Sequence, residues 1–62
     1  MNPKEKAIAL VQAFIDEGFL PAAARIAALI TVDEIIDALE NNAANSASWD
    51  YYEEVKTEIE NL

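Results

Sequence analysis

The sequence predicts an all-α fold, a small three-helix bundle that self-associates through its central helix. Apolar residues recur in three separate stretches at the helical period of about 3.6. Start and stop residues divide those stretches, at Asn2-Pro3, Gly18, Pro21 and the serines Ser46 and Ser48. The composition, 53% hydrophobic with one glycine and two prolines in 62 residues, suits helices joined by short connections. One domain is expected, with helices at about 3–17, 21–41 and 48–61.

In the first helix Asn2 is a capping residue, Pro3 fits the first helical position and Glu5 can reach back to complete a capping box. At about 100° per residue, Ala7, Ile8, Leu10, Val11, Phe14 and Ile15 share one face, with Glu5, Lys6, Gln12 and Asp16 on the other. Gly18 is positioned as the left-handed residue after the helix end, with Phe19 set for the apolar contact that follows. Asp16 and Glu17 oppose the dipole in the last turn.

Pro21 favours an extended Leu20 and begins the second helix. Ala24, Ala28, Val32, Ile35, Ile36 and Leu39 line one side of it along its whole length. Asp33, Glu34, Asp37 and Glu40 occupy the other side in its second half. In its first half Ala23, Ile26, Leu29 and Ile30 extend apolar surface onto the side that later becomes acidic. A helix apolar on two sides is buried on two sides, so these four residues are the expected self-association seam. A chain this small buries only about 60% of its unfolded surface, and apolar burial then roughly balances the entropy of ordering the chain. Self-association is one way to tip that balance.

Asn41 to Ala47 reads as a polar linker. In the third helix Ser46 or Ser48 is the expected cap, with Asp50, Glu53 and Glu54 favoured near the N-terminus by the dipole. Trp49, Tyr52, Val55, Ile59 and Leu62 form the inward stripe, with Tyr51 at its margin.

Four basic and twelve acidic residues give a formal charge of −8, and cysteine and histidine are both absent. The charge opposes direct binding to nucleic acid or anionic lipid and favours a basic partner. The missing residue types exclude disulfides, thiolate and imidazole metal ligands, and nucleophiles activated by histidine. The acidic residues of the second and third helices form either a solvated face or a ligand for a basic patch. Metal binding or acid–base chemistry by exposed helical carboxylates is not expected, so the chain is read as neither an enzyme nor a cofactor carrier. Gln12, Asp16 and Glu17 interrupt the apolar pattern after Met1–Lys6, which argues against a signal peptide. Pro21, Arg25 and Thr31 interrupt the stretch from Phe19 to Val32, which falls short of a membrane span.

The stretch Ala24-Arg25-Ile26-Ala27-Ala28-Leu29-Ile30-Thr31-Val32-Asp33-Glu34-Ile35-Ile36 is followed after the linker by Tyr51-Tyr52-Glu53-Glu54-Val55-Lys56-Thr57-Glu58-Ile59-Glu60-Asn61-Leu62. Together they resemble a group of very short proteins encoded by bacteriophages and prophages. A cysteine is common near Ala27 in that group, and its absence here argues against a thiol role. The resemblance brings no member's function with it. It implies a phage-derived, intracellular accessory protein, in a setting where small acidic proteins often block host defence or host machinery by binding.

Size, charge and resemblance lead to one expectation: a non-catalytic protein in the cytoplasm of an infected or lysogenic bacterium that binds a host protein and inhibits antiviral defence or host machinery. Asp33, Asp37, Glu40, Glu53 and Glu54 would attract the partner's basic patch. Ala23, Ile26, Leu29 and Ile30 would join copies of the chain, with Ile26 and Ile30 alternatively supplying apolar contact to the partner, and Arg25 with Tyr51 would make an anion contact. Arg25 also has a plainer reading, its stem lying along apolar surface or its head pairing with Asp16, Glu17 or a carboxylate of another subunit. Three alternatives stay open: an oligomer that sequesters a signalling nucleotide, an acidic DNA mimic, and a structural component of the virion or its assembly.

Overall fold

The computed structural model describes residues 1–42 and 46–62, which form three α-helices in the order α1 (Pro3–Asp16), α2 (Pro21–Asn42) and α3 (Ser46–Glu60). Each helix packs against both others, so the three form a triangular bundle. At about 1.5 Å per residue the 22 residues of α2 span roughly 33 Å, close to the 35 Å long axis of the molecule. It is the spine, as expected. α1 and α3 run alongside each other in the same direction: Met1 meets Tyr51 at one end, and Val11 and Leu62 line a common hollow at the other. Among the described residues no helix is long and apolar enough to cross a membrane.

The ends of α1 follow from single residues. The Glu5 amide donates to Asn2 Oδ1 at 2.8 Å and the Asn2 amide to Glu5 Oε1 at 3.1 Å, which completes the capping box. At the other end the Phe19 amide donates to the Phe14 carbonyl at 3.1 Å and the Gly18 amide to the Ile15 carbonyl at 2.9 Å. Gly18 has φ +105°, and the Phe14 and Phe19 rings meet edge to face with centroids 5.3 Å apart. This is the Schellman arrangement with its apolar contact. It ends α1 at Asp16, with Glu17 as the C-cap, one residue earlier than the sequence suggests.

α2 runs to Asn42 and α3 begins at Ser46, so helix replaces part of the expected linker; residues 43–45 lie outside the described residues. The earlier start puts Ser48 inside α3 and leaves no acidic residue in its first turn. Asp50, Glu53 and Glu54 therefore lie too far along the helix for the dipole support expected of them, which is confined to the first turn.

The core is thin. Ala7, Ala24, Ala28, Val32, Ile36, Val55 and Ile59 are buried, and Leu10, Val11, Phe14, Leu29, Trp49, Tyr51 and Tyr52 pack half-buried against this cluster. Alanines at three of the seven buried positions let the helices approach closely. Three expectations are corrected. Leu29 packs on the core and so leaves the proposed seam. Ile8 and Leu62, assigned to inward faces, are exposed. For Leu62 the reason is that α3 ends at Glu60, so Leu62 no longer follows the helical stripe.

Candidate functional site

The acidic residues singled out in the sequence lie along the edge where α2 meets α3. Asp33, Asp37 and Glu40 are spaced by four and three residues, which puts them in one row on α2. Trp49, Glu53 and Lys56 are spaced likewise on α3. Two contacts join the rows. Lys56 Nζ lies 3.0 Å from Asp33 Oδ1, and the Trp49 indole N–H donates to Glu40 Oε1 at 3.1 Å. Asp33 to Glu40 is seven residues forward and Lys56 to Trp49 seven residues back, so the two contacts fix one antiparallel register.

That register sets Asp37 level with Tyr52, so Asp37 and Glu53 both lie between the two contacts, one position out of step along the edge. Neither carboxylate has an ion-pair or side-chain hydrogen-bond partner among the described residues, although Glu53 lies within electrostatic reach of Lys56. The Lys56 ammonium is held above its ordinary pKa, first by its hydrogen bond to Asp33 and by that carboxylate's charge, then by Glu53 and Glu60. The edge is therefore an anionic row in which one lysine is already engaged. Glu54 is exposed on the next position of α3.

The five proposed partner contacts thus divide. Asp33 and Glu40 each bind a residue of α3 and help hold the bundle together. Asp37, Glu53 and Glu54 are left for an outside ligand. Lys56 and Trp49 were not among the sequence's site residues. The signal was present, because the seven-residue interval Asp33/Glu40 matches the interval Trp49/Lys56 once the two helices are set antiparallel.

Arg25 is exposed and has no carboxylate within ion-pair distance among the described residues, so the expected pairing with Asp16 or Glu17 does not form. Asp16 instead accepts from the Gln12 side-chain amide at 3.0 Å. Arg25 lines a shallow hollow of about 270 Å³ with Val11, Pro21, Ala22 and Leu62. Tyr51 is half-buried, and its hydroxyl donates to the Met1 carbonyl at 2.9 Å. The nine steps from Tyr51 to Glu60, the last residue of α3 and two before Leu62, already span roughly 14 Å along the helix axis. The anion contact that joined Arg25 to Tyr51 is therefore corrected: the fold sets them at opposite ends of the bundle.

Of the expected seam, Ala23, Ile26 and Ile30 are exposed, Ile26 at 57% and Ile30 at 58%. Among the described residues no group of three or more acidic side chains is arranged to hold a metal ion. Comparison of the chain with protein-family models, with curated proteins and with solved structures finds no match in any of the three.

Proposed function

We propose that this chain is a non-catalytic accessory protein that binds a basic segment of a host protein along the α2–α3 edge. The observation that carries this reading is that Asp37 and Glu53, neither of them ion-paired among the described residues, lie on one edge between two contacts that hold their helices in register. Like charges gathered along one edge repel one another, and a cation from outside relieves them. A surface that serves solubility alone gains nothing from this clustering, since charges of the same number spread apart would serve it as well. Glu54 and Glu58 extend the negative field around the pair. The resemblance to bacteriophage proteins supports a bacterial host protein as the partner, with inhibition of its activity in defence or in host machinery as the consequence.

The test is affinity capture from bacterial extract on the immobilised chain, followed by binding of the purified captured protein. Wild type is compared with the Asp37→Asn/Glu53→Gln variant at low and moderate salt. A partner held by wild type, released by salt and lost by the variant is the expected result. Equal retention by both chains overturns the reading.

A further inference from the structure

At about 100° per residue Ala23, Ile26 and Ile30 fall on the side of α2 opposite Ala24, Ala28, Val32 and Ile36, the residues buried in the core. The same outward face continues into Glu34 and Asp37, both exposed. It is therefore apolar in its first half and acidic in its second. The start of α2 has the complementary character. Its first turn holds no acidic residue, and Leu20, which precedes it, offers no side-chain acceptor for the amides of Ala22 and Ala23. The partial positive charge of the helix dipole is left uncapped there.

We infer that two copies of this chain pair through this face of α2 in antiparallel orientation, about a two-fold axis level with residue 28. Ile26 of each copy then meets Ile30 of the other, and Ala23 and Ala27 beside them allow close approach of the helices. Glu34 and Asp37 of each copy pass alongside the uncapped start of the other's α2. A parallel pairing would instead stack acid on acid. A second copy is the occupant the face selects, because one surface supplies both halves of the match, as a two-fold interface requires.

This inference goes beyond the proposed binding function and shares only Asp37 with it. Glu53 takes no part in the α2 face, so Glu53→Gln leaves pairing unchanged, while Ile26→Glu leaves Glu53 and Glu54 unchanged.

The native chain has no cysteine, which makes directed cross-linking clean. Sedimentation of the full chain from micromolar to millimolar concentration should give a concentration-dependent dimer. Ile26→Glu should give a monomer with unchanged helical circular dichroism, since Ile26 is exposed. An oxidised mixture of Ala23→Cys and Glu34→Cys chains should form the mixed disulfide. Ala23→Cys alone should not, because the two copies of residue 23 would stand about 15 Å apart along the axis, beyond disulfide reach. A wild-type monomer at every concentration overturns the pairing, and a dimer unaffected by Ile26→Glu overturns the face. Efficient cross-linking of Ala23→Cys to itself overturns the orientation.

Discussion

Lys56 Nζ stands 3.0 Å from Asp33 Oδ1, with side chains 36% and 52% exposed, so this ion pair between α2 and α3 lies at the solvent edge rather than over the core. Its role is register more than strength, because exposed pairs are screened and contribute little. It nevertheless leaves a pH signature. The lysine's folded-state pKa is raised above the ordinary 10.5. The pair's contribution is therefore complete below 10.5 and is lost as pH rises through the higher folded-state value. Wild type and Lys56→Met share every other titrating group. Their difference in urea midpoint should be constant through neutral pH and shrink above 10.5; a difference that grows with alkalinity would contradict the pairing.

Ile59 is fully buried beneath α1 and α2, and truncating such a side chain costs about 2–5 kcal/mol. A chain of 62 residues has a total stability of roughly 3–9 kcal/mol at the usual value per residue. Ile59→Ala should therefore unfold a large fraction of the chain at room temperature, whereas Ile30→Ala, at an exposed position, should leave monomer stability nearly unchanged. Thermal melts at a concentration low enough to suppress pairing compare the two.

Gly18 holds φ +105°, and a methyl group added there would meet open space. The cost of Gly18→Ala is thus confined to the backbone, about 1 kcal/mol, and Gly18→Asn should lose less, because asparagine tolerates positive φ better. Asn2→Ala at the other end of α1 should cost about 1 kcal/mol through loss of the capping box. Denaturant midpoints of the three variants order these effects.

Tyr51 ties α3 to the chain start through its hydroxyl and the Met1 carbonyl. Tyr51→Phe removes that bond and keeps the ring, so global stability should fall by only about 0.5 kcal/mol at this solvent-exposed contact. The local effect should be larger: the amides of the first turn of α1 should exchange with solvent faster, as read by NMR, while those around Val32 keep their protection.

The helix boundaries set by backbone chemistry were legible from local residues: Asn2-Pro3-Lys4-Glu5 reads as a capped start, and Gly18-Phe19 as a capped stop. The buried row Ala24, Ala28, Val32 and Ile36 followed from periodicity alone. Periodicity failed where the neighbour decides. Leu29 and Ile30 are adjacent and equally apolar, yet Leu29 packs on the core cluster and Ile30 faces out, because the directions from which α1 and α3 approach select between them. The division of the acidic set was hidden for the same reason. Asp33 and Glu40 look like Asp37 in sequence, and only the α2–α3 register distinguishes the carboxylates that join helices from the one left over.

That leftover group gives the sharpest prediction about function. Asp37 has no ion-pair partner among the described residues, in a chain of formal charge −8, so neutralising it removes a repulsion within the fold. Asp37→Asn should therefore raise the urea midpoint slightly at low salt, with the gain fading as salt screens the repulsion. The same substitution should weaken capture of a basic partner. Most substitutions that impair binding leave stability unchanged or lower it, so opposite movement of the two quantities marks a charge kept for an outside ligand. If Asp37→Asn lowers stability, or raises it without loss of binding, the α2–α3 edge is a solvated surface and the partner site lies elsewhere on the chain.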